Sequence, residues 1–126
     1  MRLLLDTHVL LWRMHGTPTL SRDASEKVDA ADELVVSAIS FVEIGVKAAT
    51  GKLQIPAGLR EYVLDSGARI LSLTPEHGLG IAELPPHHRD PFDRLLISQA
   101  RCEGLTIVTA DSHFTRYDVP VVLAAP

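Results

Sequence analysis

The chain has 126 residues, 46% hydrophobic and 22% charged, which is enough for one domain with a real core and too few for two. That composition excludes a disordered chain, and no apolar run approaches the length of a membrane span. The single cysteine, Cys102, excludes an internal disulfide and fits a reducing, cytoplasmic setting, where it reads as a small apolar residue on a helix face. The 16 acidic residues exceed the 12 basic ones by four, the reverse of the balance expected of a nucleic-acid binder.

Leu3-Leu4-Leu5 is a short apolar run ending at Asp6-Thr7, the pattern of a buried strand followed by a polar helix start. A secretory leader is the competing reading, but Asp6 and His8 interrupt the run and no small-residue cleavage site follows. His8 to Met14 is a short helix rich in apolar residues, and Ser21 to Ala31 is a polar one. Leu34-Val35-Val36 forms the second strand. Ser40 then opens a helix with Phe41, Ile44, Ala48 and Ala49 at helical spacing, closed by Gly51 in the left-handed position.

Pro56 to Asp65 is predicted as a further helix and Arg69 to Leu73 as the third strand. Thr74-Pro75-Glu76 starts a helix with proline in its first turn, ending near Leu84-Pro85-Pro86. Asp90-Pro91-Phe92-Asp93 starts the clearest helix, which buries Leu95, Leu96, Ile97 and Ala100 and stops at Gly104. Leu105 to Thr109 is the fourth strand, Asp111 opens a short turn or helix, and Val119 to Leu123 is a final edge strand. Strands alternating with helices define an α/β fold, a small and mainly parallel sheet with helices on both faces.

Four acids, Asp6, Glu43, Asp93 and Asp111, stand where a strand gives way to a helix or in the first turn of a helix. In a parallel sheet all strand ends open onto one edge, where ligands bind. Each acid also has a structural role to hand. Ser40-Phe41-Val42-Glu43 fits a capping box, and Asp6 and Asp111 are placed to cap the helices after them. Asp90 fits an N-cap with proline at the first helical position, leaving Asp93 to face the edge.

Singly, a cap is the better reading. Together the balance reverses, because two unit charges about 4 Å apart repel by roughly 4 kcal/mol at an effective dielectric near 20. A divalent cation resolves that repulsion, and Mg²⁺ or Mn²⁺ on a few carboxylates keeps open positions for a phosphate and an attacking water. The acidic excess of the chain is no larger than this set, so net charge does not decide the partner.

Thr7, Ser40, Asp90 and Thr109 are expected to cap helices or to orient these acids, with Ser37 a further hydroxyl near the strand ends. Lys47, one turn beyond Glu43, and Arg94, beside Asp93, are candidates for a substrate phosphate; for Lys47 an i,i+4 pair with Glu43 is at least as good a reading. His87-His88-Arg89 makes a basic loop beside the acids, but adjacent histidines point apart and no paired cysteines exist, which argues against zinc. Walker, dinucleotide-binding and serine-elbow signatures are absent from the sequence.

The blocks Leu3-Leu4-Leu5-Asp6-Thr7-His8, Ser37-Ala38-Ile39-Ser40-Phe41-Val42-Glu43-Ile44, Gly51-Lys52-Leu53, His88-Arg89-Asp90-Pro91-Phe92-Asp93-Arg94-Leu95-Leu96 and Val108-Thr109-Ala110-Asp111 resemble the PIN-domain toxins of the VapC type. Order and spacing agree from Met1 to about Val121. The resemblance implies a Rossmann-like PIN fold over one domain, residues 1–126, a homodimer, and Mg²⁺- or Mn²⁺-dependent cleavage of RNA. It further implies a VapB-type antitoxin that occupies the acidic site, with DNA met only through that partner and no membrane association. By position, Asp6, Glu43, Asp93 and Asp111 match the family's metal-binding acids. Ala110 stands where many relatives carry a basic residue, which puts one phosphate contact in doubt.

Two other classes share the architecture. A phosphatase of the haloacid-dehalogenase kind needs Asp-x-Asp after the first strand, where this chain has His8, and a receiver domain needs a late lysine that the final strand region lacks. A non-catalytic binding module in a regulatory complex is the third reading, against which the intact acid set argues.

Overall fold

A computed structural model describes residues 1–16 and 20–124. Five strands, β1 (Arg2–Leu5), β2 (Glu33–Ser37), β3 (Arg69–Leu71), β4 (Thr106–Thr109) and β5 (Val121–Leu123), form one sheet in the order β3-β2-β1-β4-β5. Every pairing is parallel, with Leu4 opposite both Val35 and Ile107. Parallel strands need crossovers, which six helices supply: α1 (Thr7–His15), α2 (Arg22–Asp29), α3 (Ala38–Ala49), α4 (Leu59–Asp65), α5 (Pro75–Leu79) and α6 (Pro91–Glu103). A short 3₁₀ turn, Gly80–Glu83, follows α5, and another, Ser112–Arg116, follows β4.

The leucine run explains why both faces are covered. Successive side chains of β1 alternate, so Leu3 and Leu5 enter one core with Val36, Val108 and residues of α1, α2 and α4, while Leu4 enters the other with Val35, Ile107, Leu96 and Ile97. Full burial of each such side chain contributes about 1.5–3 kcal/mol. α3 serves both layers, with Ile39 in one core and Ile44 in the other, which fixes it across the carboxyl edge of the sheet.

The expected elements are present, with three adjustments. α3 begins at Ala38 rather than Ser40, because Ser37 at the end of β2 takes the N-cap position and accepts the Ile39 N–H at 3.0 Å. The segment after Thr74 divides into α5 and the 3₁₀ turn. Cys102, expected to pack as a small apolar residue, is exposed on α6. Gly51 and Gly104 stand just past α3 and α6 with φ of 74° and 68°, the left-handed conformation that favours glycine after a helix. Among the described residues no helix is long and apolar enough to cross a membrane.

Candidate metal centre

From β1 the chain builds outward to β2 and β3 on one side and later to β4 and β5 on the other, so strand order reverses at β1 and opens a crevice at the carboxyl ends of β1 and β4. Asp6 follows β1 and Asp111 follows β4. α3 leaves β2 at the same edge and carries Glu43. α6 enters β4 from behind, so its N-terminus, with Asp93, also lies at that edge. Topology thus gathers four acids that the sequence keeps far apart.

Their ionisation shows the gathering. The Asp93 carboxyl is pushed up to about 8, by burial first and then by the charges of Asp6, Asp90, Glu43 and Asp111. Asp6 is also raised; burial dominates and Glu43 adds to it, against the opposing hydrogen bond from Thr109 and the charge of His8. Asp111, nearer solvent, is lowered: burial opposes this, but hydrogen bonds from His113 and His88 outweigh it.

Each acid is held differently. Asp6 occupies the N-cap position of α1 yet makes no side-chain cap. Instead its Oδ2 accepts the Thr109 hydroxyl at 2.7 Å, and Thr109 Oγ1 in turn accepts the Asp111 N–H at 3.1 Å. Asp111 caps the following turn, accepting the His113 N–H at 2.9 Å. Asp90 caps α6 as its sequence position implies, taking the N–H groups of Phe92 at 2.8 Å and Asp93 at 3.4 Å. That leaves the Asp93 side chain free of capping duty.

Glu43 is the deepest of the set, and it is not part of a capping box. Because α3 starts early, Glu43 lies in the second turn, and Ser40 accepts the Thr7 hydroxyl at 2.8 Å instead of capping a helix. One Glu43 oxygen, Oε2, receives Lys47 Nζ at 2.8 Å; the other, Oε1, is buried with no hydrogen-bond partner. A buried carboxylate oxygen without a donor costs about 1–3 kcal/mol or more. An orphaned oxygen within a set of mutually repelling carboxylates fits a hard divalent cation, which prefers oxygen ligands. Asp6, Glu43, Asp93 and Asp111 are the residues that would hold it.

The two basic candidates part company. Lys47 is drawn to Glu43, whose hydrogen bond raises the lysine pKa, with further pull from Asp90 and Asp93. It also lines a cleft of about 420 Å³ with Thr7, His8, Leu11, Lys52 and Leu53. Arg94 is committed elsewhere. Its guanidinium donates to the carbonyls of Ile81, Leu84, Pro85 and His88 and to the Tyr117 hydroxyl, at 3.0–3.4 Å. It clasps the loop before α6, a structural task that its position beside Asp93 in the sequence does not reveal.

Sequence reasoning placed His88 in a basic loop beside the acids but not among them, and missed His113. His88 turns into the site, with Nε2 at 2.9 Å from Asp93 Oδ2 and 3.3 Å from Asp111 Oδ2, and one atom from each of the three residues falls within 4.8 Å of the others. His113 Nδ1 lies 2.7 Å from Asp111 Oδ1. His87 points away, edge-on to the Tyr117 ring. No periodic pattern marks His88, because it sits in irregular backbone; only its position two residues before a helix cap hints at it.

This sheet order, with acids converging from β1, α3, α6 and β4, defines a PIN domain. The chain belongs to the PIN domain family, which matches it over residues 3–120. It is 32% identical over 120 residues to Ribonuclease VapC22 of Mycobacterium tuberculosis, across 93% of this chain and 92% of that protein. Among solved structures it is similar in fold to VapBC2 from Rickettsia felis bound to a promoter DNA fragment (TM-score 0.74, 17% identity, 98% of this chain and 99% of that one). It is also similar to DNA-bound VapBC from Salmonella typhimurium (TM-score 0.70, 16% identity, 97% of each chain).

Proposed function

We propose that this protein is a Mg²⁺- or Mn²⁺-dependent endoribonuclease of the VapC type, acting as the toxin of a toxin–antitoxin pair and restrained by a small VapB-type partner. The observation that carries the reading is the buried Glu43 Oε1 left without a donor at the sheet edge where Asp6, Asp93 and Asp111 also stand. Bound there, the metal supplies Lewis acidity toward water and the scissile phosphate and neutralises charge on the leaving oxygen. Asp6, fixed by Thr109, is the central anchor; Glu43 closes the floor, and Asp93 and Asp111 form the outer wall. Lys47 holds Glu43 and keeps part of its side chain exposed, so it would be able to meet an incoming phosphate as well. The kinship with Ribonuclease VapC22 supports RNA as substrate, and the likeness to VapBC assemblies supports an antitoxin partner; a homodimer that meets DNA only through the antitoxin completes the proposal.

The test is cleavage of RNA, single-stranded DNA and a phosphomonoester by the purified chain, with Mg²⁺, Mn²⁺ or excess EDTA. RNA cleavage that needs a divalent ion and disappears in Asp6→Asn is the expected result. Cleavage persisting in EDTA removes the metal mechanism, and a chain that binds RNA without cutting it is a binding module.

A further inference from the structure

We propose that His88 is a positioning residue of this centre: its Nε2–H donates to Asp111 and stands against Asp93, and so aims both carboxylates at the metal without itself becoming a ligand. This rests on the metal-site reading above and extends it to a residue outside the four acids.

The hydrogen bond on the far side of the ring decides the role. The Asp90 N–H donates to His88 Nδ1 at 3.2 Å, so that nitrogen is an acceptor and the ring proton sits on Nε2. A nitrogen carrying its proton is a donor and not a ligand, and this one is hydrogen-bonded to Asp111 Oδ2 at 3.3 Å and lies 2.9 Å from Asp93 Oδ2. Asp93 gains most from that neighbour. Among the described residues, His88 Nε2, at 2.9 Å, is the only side-chain nitrogen within ion-pair distance of the Asp93 carboxylate, which is otherwise pressed by Asp6, Asp90, Glu43 and Asp111. Asp111 is held from both sides, Oδ2 by His88 and Oδ1 by the N–H and ring of His113.

The ring is itself fixed. Arg94 donates to the His88 carbonyl at 3.3 Å, and the imidazole lies edge-on to Phe114 with ring centroids 6.3 Å apart. Asp90 therefore has two tasks, a carboxylate that caps α6 and an N–H that sets the tautomer of His88. A carboxylate ligates through one oxygen while the other accepts from an outer donor, and loss of such a donor typically costs 10–100-fold in metal affinity.

Mn²⁺ titrated into the full chain and followed by electron paramagnetic resonance reads affinity and coordination together. His88→Phe keeps a ring against Phe114 and removes the donor. It is expected to weaken Mn²⁺ binding by about 10–100-fold. His88→Gln, whose amide donates on one side and accepts on the other, is expected to recover most of the affinity, and the wild-type spectrum to lack a directly bonded nitrogen. Unchanged or tighter binding in His88→Phe overturns the inference, as does a directly bonded nitrogen in the wild type. With Asp6→Asn in parallel the two readings separate. Loss of Mn²⁺ in that variant with full binding in His88→Phe removes the role of His88 alone, whereas a wild type that takes up no Mn²⁺ removes the metal site with it.

Discussion

Lys47 Nζ lies 2.8 Å from Glu43 Oε2, one helical turn away, and the two ends of that ion pair differ sharply in exposure: 30% for the lysine side chain, 2% for the glutamate. On a solvated helix such an i,i+4 pair contributes only a few tenths of a kcal/mol. Here the carboxylate is buried, so Lys47 acts as a resident countercharge for part of the cluster. It relieves one oxygen of Glu43 and leaves the other for a metal.

Lys47→Met should therefore destabilise the metal-free protein well beyond a surface substitution, by on the order of 3 kcal/mol, because it strands a buried carboxylate. Saturating Mg²⁺ should recover part of the loss. Calorimetric melting in EDTA and in Mg²⁺ checks both statements; a variant as stable as wild type in EDTA shows that the pair is merely decorative.

The raised Asp93 carboxyl gives a pH dependence of defined sign. A carboxyl raised on folding binds its proton more tightly in the folded chain. The stabilisation is complete below the ordinary value of 3.8 and is lost as pH rises through about 8. Asp6, also raised, acts in the same direction. Metal-free protein should thus melt lower at about pH 8.5 than at about pH 5.5, and excess Mg²⁺ should flatten the trend by compensating the ionised cluster. Metal binding near neutral pH should also release protons, which titration calorimetry in buffers of different ionisation enthalpy detects; a binding heat independent of buffer contradicts the raised Asp93.

How far the site was legible in the sequence follows from how each residue is held. The strands and the two-faced core were readable because Leu3-Leu4-Leu5 and Val35-Val36 alternate across a sheet covered on both sides. Asp90 was readable because capping is local, settled within three residues by Pro91 and the following N–H groups. The start of α3 was misread because Ser37 and Ser40 both suit a cap, and only the end of β2 decides between them. Thr109 was readable as an orienting hydroxyl from its place at a strand end, whereas Arg94 and His88 act across 13 and 23 residues through side-chain geometry, for which local patterning has no signal.

Arg94 makes a structural prediction distinct from a phosphate role. Its donors hold the carbonyls of the loop that presents His88, so Arg94→Ala should expose the 81–88 segment to faster amide exchange. Stability should fall by about 1–3 kcal/mol, the cost of leaving several carbonyls short of a donor. Hydrogen exchange read by mass spectrometry separates the two roles: unchanged protection of that loop with lost cleavage restores Arg94 to the substrate.

Asp93→Asn should move activity and stability in opposite directions. The amide cannot supply a charged ligand to the metal, so cleavage should fall by on the order of 10³-fold or more, equivalent to several kcal/mol of lost charge stabilisation. The same change removes a carboxylate whose ionised form burial and four neighbouring acids oppose. The variant should consequently melt several degrees above wild type in EDTA at about pH 8.5, with the gain shrinking toward about pH 5, where Asp93 is already protonated in the folded chain. Asp111→Asn, whose parent carboxyl is lowered by its hydrogen bonds, should show no such gain, since ionised Asp111 is favoured by its partners. Melting curves of both variants at the two pH values, beside an RNA cleavage assay, distinguish an acid held against its charge from one at ease with it. Equal melting shifts for the two substitutions contradict the electrostatic picture of the centre.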